Sequence, residues 1–467
     1  MKKAIAIILI LIFNPTYASL SNNITILKQK YNIKNADIGI SVQQTSNGKQ
    51  LYQDNALDDF TPASNNKLFT AIAALISLPS NFTFNTTIYT HSPLNLSQDV
   101  LNDNLYIKFT GDPSLTSSQL FKLLKKLKTK GIKKINGNII LVANQFTGSL
   151  YPDGWSKDDI QNCYAAPTSS MNLNKNCIVI AIVKSKGKNT EIKRISNTQN
   201  IKIINKVISQ PYSSKKQCRI IPNMTSRNIL YLNGCMKKYK EVRISLPVAN
   251  PSLKTLNTVN DYLNDLKIKR TGNISIGNLP KNIIELTHVS SASLAMLLKH
   301  MLLHSDNLYA ESIARSIGYN VSGSGNINIA TKVIKEILTK NLRINTKPLV
   351  LKDGSGLSSL DKVSPQLLVN ILTKIFNTPK LGNMLYKSLP QSGISGTLSY
   401  RMTKELQGKV RAKTGTLKGT ITLSGYLITR NRNQLSFSIM INNLKKSQRI
   451  SARDFQNSLL RVLYNTY

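Results

Sequence analysis

The chain has 467 residues, 41% apolar and 6% aromatic, a length for roughly two to four domains with cores large enough to need no staples. This composition excludes a disordered or collagen-like chain. Lys and Arg number 62 against 22 Asp and Glu, a formal charge of +40 that raises nucleic acid as a partner until compartment and charge distribution are considered.

The chain opens with Lys2 and Lys3, ten apolar residues from Ala4 to Phe13, and small residues at Thr16-Tyr17-Ala18. That is the layout of a secretory signal peptide over 1–18, cleaved near Ala18, and the apolar run is too short to span a bilayer. Export argues against nucleic acid. The lysines are also spread along the chain, and only Lys122 to Lys134 forms a basic cluster, with leucines at helical spacing. It reads as a solvated helix face, or else as a charge-assisted peripheral hold on an anionic envelope.

Residues 36–57 alternate apolar and polar around a Ser46-Asn47-Gly48 turn and read as a strand hairpin. Thr61-Pro62 opens a helix running to Ile76. From about 86 to 260 short β-rich runs lie between turn signals. Helical periodicity returns at 252–268, 291–316, 326–341 and 364–377. Strands follow at 421–428 and 435–442, then a closing helix at 453–464. Helical ends around a β-rich middle describe one α/β domain interrupted by an insertion.

All four cysteines, Cys163, Cys177, Cys218 and Cys235, lie in that middle. Three connectivities are open. The sequential one, 163–177 and 218–235, is favoured because it closes two short loops, worth roughly 3 kcal/mol each in the chain-entropy account. Without any Cys-x-x-Cys pair or His-x-x-x-His pair, no metal site is expected.

The chemistry starts at Ser64-Asn65-Asn66-Lys67. A spacing of three sets a hydroxyl and an amine a turn apart on one helix face, and a helix start favours negative charge developing on the serine oxygen. Alone, Ser-x-x-Lys is ordinarily a capped helix, and Ser213–Lys216 and Ser359–Lys362 share the spacing. Ser305-Asp306-Asn307 follows on a helical segment, and Lys413-Thr414-Gly415 stands just ahead of an apolar strand. Each is cheap by itself, since Ser324-Gly325-Asn326 and Arg270-Thr271-Gly272 come close to them. The ordered triple is the specific signal, and it is the signature of penicillin-recognising serine enzymes.

Further stretches narrow the resemblance. Gly154-Trp155, Asp159, Cys163-Tyr164, Ala166-Pro167 and Asn176-Cys177 lie in the middle region. Asp353-Gly-Ser-Gly-Leu-Ser358, and Gly393-Ile-Ser-Gly-Thr-Leu398 with Arg401, precede the Lys-Thr-Gly. With these the chain resembles the penicillin-binding protein 4 type of D-alanyl-D-alanine carboxypeptidase/endopeptidase over its whole mature length.

The resemblance implies an α/β fold: a serine β-lactamase/transpeptidase-like sandwich, a five-stranded antiparallel sheet with helices on both faces, built from 19–85 and 262–467. Residues 86–261 would form the β-rich insertion, as two small subdomains. It implies a periplasmic enzyme without cofactor that acts on peptidoglycan stem peptides and is inhibited by β-lactams. Ser64 would be the nucleophile and Lys67 its base, neutral through burial and the like charge of Lys413. Ser305 would relay a proton and Asn307 hold Lys67 and the substrate amide. Lys413 and Thr414 suit a terminal carboxylate, and Gly415 lets the substrate backbone lie close to the strand. The oxyanion hole would be the backbone N–H groups of Ser64 and Thr416. Asp159 would meet the free amine of the stem peptide's diamino acid. Ser359 stands where the family usually has Arg and Lys418 where Gln is common, so Lys418 is a candidate replacement for the missing positive charge. The alternatives are a β-lactamase or esterase of the same fold, and a non-catalytic basic scaffold that binds peptidoglycan.

Overall fold

The computed structural model describes residues 15–33, 35–91, 99–211, 217–237 and 240–467. The expected signal segment lies outside the described residues up to 14, and its last residues begin the helix Pro15–Lys30. Ser213–Lys216 also lies outside them. Among the described residues no helix is long and apolar enough to cross a membrane.

The chain forms two compact units. The first comprises Met1–Asn65, Ile344–Leu349 and Lys362–Tyr467. Its centre is a five-stranded antiparallel sheet in the order Val410–Leu417, Thr420–Ile428, Gln434–Asn442, Asp37–Gln44, Gln50–Asp54, the sheet expected from the resemblance. Strand alternation gives it two different faces. Ile38, Ile40 and Val42 pack with Phe455, Leu459 and Leu463 of the helix Arg449–Thr466 and with Leu20 and Ile24 of the first helix. The intervening positions meet the helix Pro365–Phe376: Ser41 Oγ donates to Gln366 and Gln43 Nε2 to Asn370. On that face the sheet presents small polar side chains, among them Thr422, Ser424 and Ser438, all buried.

The second unit comprises Asn66–Arg343 and Val350–Asp361. The helices Lys67–Ser77, Asn307–Ser322 and Ile327–Leu342 pack on one another here. The insertion has two cores. One lies under a five-stranded mixed sheet ordered Ile274–Gly277, Ile139–Val142, Leu105–Phe109, Asn85–Thr90, Ile284–Ser290, against the helices Ser117–Thr129 and Pro251–Asp265. The other gathers Ile178, Ile180, Leu230 and Leu232 between smaller sheets. The inserted sheet therefore reaches Ser290. Residues 262–290, expected with the catalytic domain, pair their strands with Ile139–Val142 and Asn85–Thr90 instead.

Both sequential disulfides form, Cys163–Cys177 and Cys218–Cys235. The first ties the loop that carries Asp159 to the strand Cys177–Lys184.

Candidate active site

Ser64 lies in a 3₁₀ turn, Ala63–Asn66, and the α-helix starts only at Lys67. The helix expected from Pro62 is thus delayed by one turn. Covalent continuity still holds the hydroxyl and the amine a turn apart. Ala63 has φ +48°, the left-handed region that costs an L residue about 1 kcal/mol or more.

Within the first unit this turn is fastened to the sheet. Thr422 Oγ1 donates to Pro62 O at 2.8 Å, Asn65 Nδ2 to Ser424 Oγ at 2.8 Å, and Thr61 N to Asn442 Oδ1 at 2.8 Å. Thr422 and Ser424 are the partners of Gly415 and Lys413 across the strand pair. The nucleophile's turn and the Lys-Thr-Gly strand are therefore anchored at the same register positions. Gly415 has a reason that the sequence did not supply. A Cβ there would collide with Thr422 Oγ1 and come within 2.9 Å of Pro62 O and 3.0 Å of Ala63 Cβ. On its Cβ side the space is taken by the turn.

Val410–Leu417 ends the strand order, but the first part of its outer edge is already paired: Ala412 N donates to Pro390 O at 3.0 Å and Ser392 N to Val410 O at 2.9 Å, so an extended peptide has only the edge beyond Ala412 to pair with. Lys413 is fully buried and its Nζ donates to Thr414 O at 2.8 Å. Thr414 Oγ1 is oriented by Thr397 at 2.8 Å, in the Gly393–Leu398 stretch. Thr416 and Lys418 are exposed.

In the second unit Lys67 is buried and donates to Asn307 Oδ1 at 2.6 Å and Ser355 O at 2.7 Å. Burial lowers its pKa to about 8, while Asp353, Glu311, Asp306 and Asp361 pull it upward. The expected lowering thus has burial as its cause, and the charges that act alongside oppose it. At neutral pH a fraction of the amine is therefore deprotonated and can act as a base.

The helix expected over 291–316 is two helices, Leu294–His304 and Asn307–Ser322. Ser305 breaks it with φ +55°, and Asp306 caps the second helix. Ser305 and Asn307 stand at this joint rather than along one helix face. Burial alone would raise Asp306, but the hydrogen bond to His300 and the charge of Lys175 bring its pKa down to about 2, keeping the cap ionised.

Asp159 is half-exposed and accepts from Ser156 Oγ at 2.6 Å and Tyr164 OH at 2.7 Å. Tyr164 O in turn accepts from Asn307 Nδ2 at 2.8 Å. One residue, Tyr164, therefore connects the Asp159 loop to the side chain that holds Lys67. Burial, then the bond to Asp159, pushes the Tyr164 phenol up to about 12, so it remains a donor. Ser359 Oγ reaches Gly154 O at 3.3 Å.

Asp353 is named by the sequence only as part of a stretch, and not as an acceptor. Its Oδ2 accepts from Trp155 Nε1 and Ser358 N, both at 2.8 Å, and its Oδ1 from Ser355 N, Gly356 N and Asn66 Nδ2. It joins the loop before Asp159 to the residue next to Lys67. Gly354 N donates to the buried Glu311 at 3.0 Å, and Gly354 O accepts from Thr70 Oγ1 at 2.7 Å. Burial, then Asp353, pushes Glu311 up to about 8 and holds Asp361 well above the usual carboxylate range. The signal was present in Asp353-Gly-Ser-Gly, a carboxylate followed by turn residues whose N–H groups need an acceptor. Among the described residues no group of three or more His, Cys, Asp and Glu could hold a metal ion.

Residues 20–463 match the family described as the D-Ala-D-Ala carboxypeptidase 3 (S13) family. The chain is 29% identical to the D-alanyl-D-alanine carboxypeptidase DacB of Haemophilus influenzae, over 96% of this chain and 95% of that one. The crystal structure of that organism's penicillin binding protein 4 superposes with TM-score 0.88 at 28% identity, covering 95% of this chain and 99% of the other. A structure of the same protein complexed with a novel β-lactam gives TM-score 0.83, with the same coverage.

Proposed function

The chain belongs to the D-Ala-D-Ala carboxypeptidase 3 (S13) family, and from that premise we propose how its own residues perform the reaction. It is a serine-type D-alanyl-D-alanine carboxypeptidase, inhibited by β-lactams. The reading of its site rests on one observation: a buried lysine, lowered to about 8, one turn after Ser64 and fixed by Asn307.

Lys67 takes the Ser64 proton as the oxygen attacks the carbonyl of the penultimate D-alanine. The backbone N–H groups of Ser64 and Thr416 receive the oxyanion. Lys413 and Thr414 hold the terminal carboxylate, with Thr397 fixing the Thr414 hydroxyl. Collapse breaks the C–N bond, and the leaving D-alanine amine takes a proton relayed by Ser305. Water then attacks the Ser64 ester, with Lys67 again as base, and releases the shortened peptide. A β-lactam forms the same ester and leaves slowly.

Three finer points belong to this reading. Asp159 binds the free amine of the stem peptide's diamino acid, supported by its half-exposed charge beside Tyr164. Cleavage of D-alanyl–meso-diaminopimelyl crosslinks follows if that amine marks the acceptor strand. The mature enzyme works in the periplasm, a reading supported by the signal-peptide pattern of residues 1–18. Lys418, exposed beyond the Lys-Thr-Gly strand, supplies the positive charge that Ser359 lacks; unchanged activity of Lys418→Gln on every stem peptide would remove that role.

The test is intact mass after incubation with benzylpenicillin, for wild type and Ser64→Ala. One persistent adduct, lost in the variant, supports Ser64 as nucleophile and excludes rapid β-lactamase turnover. No adduct together with no penicillin turnover would sink the enzyme reading.

A further inference from the structure

We propose that the lysine face of the helix Ser117–Thr129, continued by Lys133 and Lys134, is a docking surface for the carboxylate-bearing cell-wall polymer. It holds the enzyme on the insoluble form of its substrate, and so rests on the carboxypeptidase reading above.

The stretch 122–134 contains seven lysines and no acidic residue. The structure sorts its side chains cleanly. Leu120, Leu123, Leu124 and Leu127 are buried in the core under the inserted sheet, and Lys122, Lys125, Lys126, Lys128, Lys130 and Lys133 are exposed on the other side. A capping box of Thr116 and Gln119 fixes the helix start. Lys134 pairs in register with Lys269 of the neighbouring short strand, and Lys267 and Lys269 are exposed there too. Lys133 is bound to Asp99 at 2.7 Å, and Lys126 donates to His288 O at 2.9 Å. Among the described residues Lys122, Lys125, Lys128 and Lys130 have no carboxylate within ion-pair distance. Like charges crowded on one face repel one another, and an external polyanion relieves that repulsion.

The occupant follows from the chemistry. The leucines are committed to the core, so the helix has no apolar side to enter a bilayer, as a membrane-lying helix must. The substrate polymer instead carries a carboxylate at the end of each stem peptide. Hydrolysis exposes a new carboxylate as it removes the old one, so the polymer keeps its charge after cleavage and the enzyme stays held between turnovers. Many weak contacts of this kind add up as avidity and fade with salt.

The experiment compares the full chain with a quadruple variant, Lys122→Glu, Lys125→Glu, Lys128→Glu and Lys130→Glu. A charge-matched control carries Lys332→Glu, Lys340→Glu, Lys374→Glu and Lys380→Glu, all at exposed positions. Co-sedimentation with isolated sacculi at low and high salt, D-alanine release from sacculi, and hydrolysis of a soluble acyl-D-Ala-D-Ala peptide are measured for each. The face variant is expected to lose about tenfold in sacculus binding and in release from sacculi, with soluble-peptide kcat/KM within about twofold of wild type. The control stays near wild type in all three. Equal losses in both variants, unchanged binding of the face variant, or wild-type binding to anionic phospholipid vesicles but not to sacculi would each overturn the proposal. Wild type inert on the soluble peptide would instead refute the carboxypeptidase reading, while the sedimentation result still judges the face.

Discussion

Asp353→Asn is nearly isosteric, yet the hydrogen bonds at this site make it costly. Each carboxylate oxygen accepts from three donors: Oδ1 from Ser355 N, Gly356 N and Asn66 Nδ2, and Oδ2 from Trp155 Nε1, Ser358 N and Ser355 Oγ. An amide keeps one acceptor oxygen, so whichever way it turns, its NH2 faces donors. At Oδ2 the Ser355 hydroxyl can rotate away, but the buried Ser358 N–H and the half-buried Trp155 N–H are held in place. At about 1–3 kcal/mol for each unsatisfied donor, the loss is about 4 kcal/mol, roughly 4 °C in melting temperature for a chain of this length. The charge is lost as well. Asp353 is the strongest of the carboxylates that raise Lys67, so without it Lys67 deprotonates at lower pH, and the rising limb of acylation moves toward acid. Glu311, itself raised by burial and then by Asp353, ionises more readily in the variant and returns part of that shift without reversing it. Thermal melts, with benzylpenicillin acylation rates across pH 5–10 for the folded protein, read both effects. A melt within about 1 °C of wild type and an unmoved pH limb would refute the reasoning.

Other perturbations test separate parts of the site. In wild type, acylation should rise with pH as Lys67 loses its proton and level off above about 8; a flat profile from pH 6 to 9 would show that Lys67 is not the base. Lys67→Arg keeps the charge but cannot release it, and should lower acylation by about 10²–10⁴-fold, measured by rapid-quench mass spectrometry. Gly415→Ala drives a methyl group into Thr422 and the Pro62–Ala63 backbone. It should cost about 1–3 kcal/mol by urea unfolding and slow acylation even with substrates too small to reach the strand's outer side. Asp159→Asn should lower kcat/KM on peptides with a free side-chain amine and leave benzylpenicillin acylation unchanged; an equal loss on both would make Asp159 a structural residue.

The parts that were legible in the sequence were those with short-range causes. The leucine spacing within 122–134, the alternation of 36–57 and the closing strands each depend on neighbours a few residues away; the closing strands lie within a residue of the expected bounds, the hairpin ends at Asp54, and the helix runs Ser117–Thr129. The misreadings came from longer range. Nothing local in 274–290 shows that Ile274–Gly277 runs parallel to Ile139–Val142, because a strand's period does not name its partner. Helical periodicity across 291–316 hid the break, since Leu297, Leu298, Ala310 and Ile313 keep their apolar spacing on either side of Ser305. Asp353 could be read as part of a recurring stretch, but its acceptor role needed the Trp155 and Asn66 donors, which lie far off in sequence. Tyr164 was named only as a neighbour of Cys163, and its link to Asn307 came from folding.

The left-handed alanine ahead of the nucleophile has a consequence for anyone who would engineer this enzyme. Glycine at 63 would relieve the backbone of about 1 kcal/mol, but the unfolded chain would gain freedom of nearly the same size. The backbone terms therefore nearly cancel in a stability screen. What a melting curve would register at position 63 is the buried methyl itself, which lies where a Cβ on Gly415 would come within 3.0 Å and whose loss costs about 0.8 kcal/mol. A library sorted for heat resistance would therefore keep alanine here for its packing and not for its backbone.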